Sequence, residues 1–327
     1  MKTIAFFNNK GGVGKTTLVY HVAHMMAALG VNVLAVDLDP QANLTSMCMD
    51  ETELEKIWPF GPHPETIYGA LRPIISGTGD VEQPRVFEIA ERFTLIAGDL
   101  GLSNFEDKLS DSWARCHNRD ESAFRAMTAF YRGFTARAEE SKADFILVDV
   151  GPNLGAINRS ALIACDYVVV PLGPDLFSVQ GLRNLGPALR EWRYAWKELI
   201  PKCPANDLKL PLGTLFPLGY VVLQHGMRGN APLQAYQRWI NRFPQEYRTA
   251  VLDENEGQPD EPDTNRLALL KHYRSLMPMA MEARKPVFFL KPADGAIGAH
   301  FQAAQSAFDD FAALAREIAA RAGSPIP

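Results

Sequence analysis

The segment "KTIAFFNNKGGVGKTTLVYHVAHMMAALGVNVLAVDLDP", Lys2 to Pro40, decides the fold. Thr3 to Asn8 is an apolar run of strand length, and it ends in a cluster of glycines at positions 11, 12 and 14. Beyond them Leu18, Val22, Met25, Met26 and Leu29 recur at helical spacing, which predicts a helix from Lys15 to Leu29 that Gly30 stops. Asn32 to Asp37, "NVLAVD", is a second apolar strand. The whole is a strand–loop–helix–strand unit with its glycine loop at the carboxyl end of the first strand.

Such a loop has a chemical use. Successive backbone N–H groups opening onto a helix N-terminus form a concave nest that stabilises phosphate oxygens through hydrogen bonds and the helix dipole. Gly11, Gly12, Val13 and Gly14 would form that nest, with Thr17 closing it. Lys15 adds a point charge for the β- and γ-phosphates, and the Thr16 hydroxyl is a ligand for Mg²⁺. The pattern departs from G-x-x-x-x-G-K-[ST] in two ways: Asn9 stands where the first glycine belongs, and a second lysine, Lys10, follows it. A dinucleotide fingerprint also begins G-x-G, but Thr17 occupies its third glycine position.

Outward from this unit the chain keeps alternating. "DFILVDVGP" predicts a strand ending at Asp149, "DYVVVPLGP" one from Tyr167 to Pro171, "LGYVVLQ" one from Leu218 to Gln224, and "KPVFFL" a last one from Lys285 to Leu290. Strands alternating with helices imply an α/β fold with a mostly parallel sheet flanked by helices. A final helix, Ala299 to Arg321, carries Phe301, Ala304, Phe308, Phe311, Leu314 and Ile318 on one stripe, which is expected to cover the sheet.

"NKGGVGKTT" resembles the deviant Walker A motif, K-G-G-x-G-K-[ST], of the ParA/MinD family of ATPases, and "VDLDPQANLTSM" is similar to that family's next block. The resemblance implies a three-layer P-loop NTPase sandwich and a weak, partner-stimulated ATPase using ATP and Mg²⁺. In that family the second lysine reaches across a nucleotide-sandwich dimer to the phosphates of the opposite subunit, a role that falls here to Lys10. Asp39 matches the residue that positions the attacking water, so the resemblance makes Lys10, Lys15 and Asp39 the catalytic residues. Asp37, which otherwise reads as a strand-end or capping acid, and Asp149, the Walker B position, would join Thr16 around the metal. The usual D-[TC]-P-P is "DVGP" here, with Gly151 replacing the first proline. "TLIAGDLGLSNFEDKLS", Thr94 to Ser110, also has the family's look. "SLMPMAMEARKPVFFL" resembles the stretch whose loop lies beside the adenine, which makes Pro278 and Met279 the adenine-side candidates.

Composition narrows the choice within the family. At 327 residues, 47% hydrophobic and 22% charged, the chain is expected to form one ParA-like ATPase domain, residues 1–327, with insertions near 50–64, 110–135, 192–211 and 226–263. Four scattered cysteines without a C-x-x-C pair argue against disulfides, a zinc site or an iron–sulfur relative. The opening strand lacks the pattern of a secretion signal, and the tail "REIAARAGSPIP" is not a basic membrane-binding helix, so a cytoplasmic protein with no membrane partner is expected, nucleoid-associated if it binds DNA. The phosphate loop starts within ten residues of Met1, so no N-terminal helix-turn-helix domain, and hence no operator binding, is expected.

The net charge is −5, yet the run from Arg183 to Arg248 holds ten Lys/Arg against four acids, before the acidic "DENEGQPDEPD", Asp253 to Asp263. Trp192, Tyr194, Trp196 and Trp239 are interleaved with those cations, either as core residues or as platforms for bases. The expected function is that of a ParA-like ATPase that forms an ATP-sandwich homodimer and binds DNA non-specifically. Its expected work is to position a plasmid, chromosome or other cargo with a ParB-like adaptor. The alternative is an ATP-gated dimeric switch in a mobile-element or defence system.

Overall fold

The computed structural model describes residues 1–223, 233–254, 263–270, 273 and 275–327, with backbone alone at 233–235. Its centre is an eight-stranded sheet in the order β3-β4-β2-β5-β1-β6-β7-β8. The strands are β1 (Lys2–Phe6), β2 (Val33–Leu38), β3 (Phe87–Ala90), β4 (Phe93–Ile96), β5 (Phe145–Val150), β6 (Tyr167–Leu172), β7 (Phe216–Leu223) and β8 (Arg266–Leu270). All pairings are parallel except β3 with β4. The central strands are apolar runs because both faces are covered: β2 and β5 are buried at every residue.

Two cores result. On one face, helices Ile67–Ser76, Glu106–Cys116, Ala129–Ser141, Ala156–Ile163 and Leu176–Leu199 pack on the sheet; on the other lie Lys15–Ala28, Leu276–Ala283 and Ala299–Arg321. The last helix covers the sheet with Ala304, Phe311, Leu314 and Ile318, while Phe301 at its first turn is 37% exposed. Trp192 and Trp196 are core residues, with the Trp196 indole N–H donating to the Pro211 carbonyl at 2.9 Å. Tyr194 points outward. All four cysteines are free thiols.

The expectation of a last strand at 285–290 is corrected. Pro286 has no N–H to donate, the Val287 N–H donates to His21 Nε2, and the Phe289 N–H turns back to the Pro286 carbonyl, so the segment forms a short 3-10 turn. The outer position beside β7 belongs to β8, which the sequence reading passed over. It also passed over β3 and β4, four residues each.

The described parts of the segments expected to be insertions are tied down. Helix Glu51–Ile57 is capped by Asp50, and the loop after it is fixed by the Trp58 indole on the Gly98 carbonyl and by His63 on buried Asp99. Asp80 binds both Arg125 and Arg132. Helix Leu176–Leu199 meets the 247–252 turn where a Cβ on Gly186 would stand 1.8 Å from the Ala250 carbonyl oxygen; only glycine permits that approach.

Candidate active site

The parallel register sets the site. At the carboxyl ends of the central strands Asp37 of β2 lies beside Asp149 of β5, and Asp149 beside Phe6 of β1. Both carboxylates are fully buried, Asp39 is 6% exposed, and Lys15, the first residue of its helix, is also 6% exposed. Three buried carboxylates therefore face one buried ammonium. Burial together with the neighbouring acid pushes Asp149 well above the usual carboxylate range. Burial likewise raises Asp37 to about 7, opposed by two hydrogen bonds from Thr45. Burial lowers Lys15, offset by the fields of Asp149 and Asp39.

Asp37 is held rigidly. Its Oδ2 accepts from the Thr45 N–H at 2.8 Å and the Thr45 hydroxyl at 2.7 Å, and that hydroxyl accepts in turn from the Gly98 N–H. Asp149 is different: neither oxygen has a hydrogen-bond partner of ordinary geometry among the described residues. An orphaned buried carboxylate beside a second, near-neutral one is a donor set that a hard divalent cation completes. The residues present thus fit Mg²⁺, with Thr16 at the rim.

The loop fits a polyphosphate equally well. Gly12 (φ +71°) and Gly14 (φ +93°) occupy the left-handed region, and nothing lies within 4 Å of where a Cβ on Gly11 or Gly12 would be, so the cradle is open. Helix Lys15–Ala28 has no side-chain cap and no acid in its first turn, which leaves its N–H groups for an anion. Val13 faces the core, 1% exposed.

A cleft of about 670 Å³ opens from the loop, with Gly11, Lys15, Thr16, Thr17 and Asp39 on its floor. On the far wall helix Leu276–Ala283 presents Met277, Ala280 and Met281, followed by Arg284. Pro278 and Met279, the adenine-side candidates, do not line this cleft. At helical spacing these two lie off the cleft face; Pro278 faces solvent and Met279 packs towards Gly295. The readable signal was the i, i+4 pair Met277/Met281. His21 also lines the cleft; its Nδ1 donates to the Thr17 carbonyl at 2.7 Å while Nε2 accepts from Val287, which fixes a neutral ring that burial holds to a pKa of about 4. His21 thereby joins the phosphate-loop helix to the segment that follows Lys285.

Gly151 answers a local question. A Cβ there would lie 3.4 Å from Asp39 Oδ1, at ordinary contact distance, so the carboxylate tolerates the glycine without requiring it. Side chains supply the rigidity that prolines would otherwise give: Asn158 donates to the Gly151 and Asn153 carbonyls, and Glu106 caps helix Ala156–Ile163 through two backbone N–H groups.

Lys10 stands apart from the cleft. Its ammonium is paired with Asp175, the cap of helix Leu176–Leu199, and lies 5.9 Å from the centre of the exposed Phe177 ring. Asp175 was not foreseen, since a capping acid 165 positions away gives no sequence signal.

The ten-cation run does not form one patch. Arg183 and Arg242 both bind Glu246, Arg190 bonds the Ala250 and Val251 carbonyls and pairs with Asp253, and Lys209 pairs with Glu139. Arg238 and Arg242 stack on Trp239, 4.6 and 5.3 Å from its centroid. Arg193 and Lys197 lie near the other end of helix Leu176–Leu199, beside the start of β1. Arg228, and most of the polar loop and acidic run around it, fall outside the described residues.

Comparison with known proteins agrees with this geometry. A family model described as an AAA domain matches residues 1–200. The chain is 33% identical over 226 residues to a putative replication protein A of Rhizobium rhizogenes, covering 63% of this chain but only 52% of that one, so it spans about half that relative's length. It is 26% identical over 275 residues to the sporulation initiation inhibitor protein Soj of Bacillus subtilis, covering 84% of this chain and 92% of Soj. Among solved structures, protein DIP2308 of Corynebacterium diphtheriae superposes with a TM-score of 0.69 at 29% identity, covering 87% of this chain and 97% of that one. With the glycine cradle, the paired lysines and the acid row all in place, the chain belongs to the ParA/MinD family of P-loop ATPases.

Proposed function

We propose that this chain is a Mg²⁺-dependent ATPase that closes into an ATP-sandwich homodimer, binds DNA without sequence preference and positions a plasmid, chromosome or other cargo. The observation that carries the reading is the charge imbalance at the cleft: three buried carboxylates and one lysine beneath an open glycine cradle. Thr16, Asp37 and Asp149 would hold Mg²⁺, which would supply positive charge against the phosphates. Gly11, Gly12, Val13 and Gly14 would cradle the phosphates, with Thr17 beside them, and Lys15 would bind the transferred group's oxygens. Asp39, fixed through the Gln41 N–H on its Oδ1, would orient a water in line with that group. No strong base is needed, because phosphoryl transfer depends chiefly on position and electrostatics.

The dimer rests on Lys10. It cannot serve its own phosphates while paired with Asp175, and Leu176 and Phe177, which follow Asp175, expose an apolar rim near it that a second copy would cover. One ATPase domain with the added segments 50–64, 110–135, 192–211 and 226–263 would then be adapted to its own stimulating, ParB-like adaptor in the cytoplasm. No described helix is long and apolar enough to cross a membrane.

DNA contact would come from Arg238 and Arg242, held over Trp239, doubled by the dimer. The ion pairs that occupy Arg183, Arg190, Lys209 and Arg242 itself favour the second reading, an ATP-gated switch without DNA segregation. Titration of random duplex against the protein in ATP and in ADP, across a salt series, separates the two. DNA positioning requires ATP-dependent binding with a slope of log K on log salt of about −4 for four neutralised phosphates. Equal or absent binding in both states leaves the switch.

A further inference from the structure

At the edge of the sheet opposite the phosphate loop lies a groove that the ATPase reading does not use. A cavity of about 990 Å³ is formed by the starts of β1, β6 and β7, the last turns of helix Leu176–Leu199 and the end of helix Ala299–Arg321. A second, of about 500 Å³, continues it and shares Arg193, Phe216 and Arg321 with the first.

Its chemistry is mixed in a definite way. Leu212 and Phe216 are 75% and 54% exposed, large apolar side chains left in water. Around them stand Lys2, Arg193, Lys197 and Arg321. Arg193 and Lys197 have no carboxylate partner among the described residues; Lys2 lies over the Tyr167 ring, and Arg321 is paired with Glu317. The lining acids are Asp166, which accepts the Thr3 N–H, and Glu254. On a chain of net charge −5, this is a local cationic rim around an apolar floor.

We propose that this groove is a docking site for an acidic peptide segment of a partner protein, its carboxylates on Arg193 and Lys197 and an aromatic or aliphatic side chain on Phe216 and Leu212. Charge complementarity selects the acid, and the exposed apolar pair selects an anchor. Nucleic acid fits less well: a phosphate backbone wants cations along an open polar surface, whereas the exposed Phe216 and Leu212 at the centre of this groove would gain nothing from a duplex exterior. Since the groove opens at the far edge of the sheet from the nucleotide, a partner held there leaves the cleft and Lys10 free. The ATPase cycle could then run with cargo attached; that consequence, though not the docking itself, rests on the proposed function.

Fluorescence polarisation with a short dye-labelled peptide of Asp, Glu and two Phe tests it, alongside the same peptide with Ser for Phe and a single-stranded oligonucleotide of equal charge. The expected result is saturable, salt-sensitive binding of the Phe peptide. It should weaken about tenfold or more in Arg193→Glu/Lys197→Glu and in Phe216→Ser, and on loss of the peptide's Phe. ATP turnover should be unchanged in these variants. Lys197→Glu alone, on an exposed side chain, keeps the test valid if a bulkier change harms folding. Absence of saturable binding, binding the variants leave intact, or equal loss of an equally tight oligonucleotide complex would overturn the proposal. Failure of the parent to hydrolyse ATP would sink the proposed function and leave this result readable by itself.

Discussion

Two parts of this molecule gather charge, and they balance it in opposite ways. Along the first half of helix Leu176–Leu199 the charges are matched: Glu246 sits between Arg183 and Arg242, and Arg190 is satisfied by two carbonyls and Asp253. At the carboxyl edge of β2 and β5 the charges are unmatched, with three acids against Lys15 and Asp149 without a hydrogen-bond partner of ordinary geometry among the described residues. Matched charge fixes a structure, whereas unmatched buried charge is a standing cost that a bound proton or a cationic ligand relieves. The contrast separates the working edge of the sheet from its supporting flank.

The largest effect that sharpens this contrast is on turnover. Lys15→Ala should lower ATP hydrolysis about a hundredfold or more, the loss that follows removal of a charge acting in the transition state. Glu246→Ala on the flank should leave turnover within about twofold and cost about 1 kcal/mol of stability, since both its arginines are partly exposed. Steady-state phosphate release on the two variants decides it; equal turnover would erase the distinction.

A smaller effect reverses the pattern. Gly186→Ala should destabilise by about 2 kcal/mol, because the 1.8 Å overlap with a carbonyl oxygen outweighs the gain in helix propensity. Urea unfolding followed by circular dichroism measures it, and a stabilised variant would contradict the packing described for the flank.

The smallest effect is in pH. Asp37 has its folded pKa raised from 3.8 to about 7, so between those values the folded chain holds a proton that the unfolded chain has lost. Stability therefore falls as pH rises through this window, opposite to a salt-bridged carboxylate. The metal-free protein should lose about 2 °C or more of Tm between pH 5 and pH 7.5, and Asp37→Asn should flatten that slope. Mg²⁺ with ATP should flatten it too, by supplying the missing positive charge. A slope of the other sign, read by calorimetry, would mean that Asp37 is ionised and paired in the free protein.

Legibility in the sequence follows the same division. The working edge was readable because local rules govern it: an apolar run, glycines at a turn, a helical repeat and an acid at a strand end each leave a mark within ten residues, so β1, β2, β5, β6 and β7 were all expected where they lie. The flank was not. The short β3 and β4 are too brief to show a period, and β8 has only five residues. The stretch 285–290 has the apolar composition of a strand, but its donors are claimed by His21 and a local turn. The ten-cation run was visible as a sum of charges, although its division between ion pairs and two ends of one helix depends on residues tens to hundreds of positions away. Distance also hid Asp175, and helical phase moved the cleft contacts from Pro278 and Met279 to Met277 and Met281.

The most direct test of the second lysine's trans role is the mass of the ATP-bound particle. Asp39→Ala leaves Lys10, Lys15, Thr16 and the glycine cradle intact while removing the residue that would orient water, so in ATP and Mg²⁺ it should accumulate as a dimer by size-exclusion chromatography with light scattering. The same protein carrying Lys10→Ala should bind ATP and remain a monomer. A monomer from Asp39→Ala at saturating ATP, or a dimer that survives the loss of Lys10, would contradict the trans role and leave Lys10 as the partner of Asp175 alone.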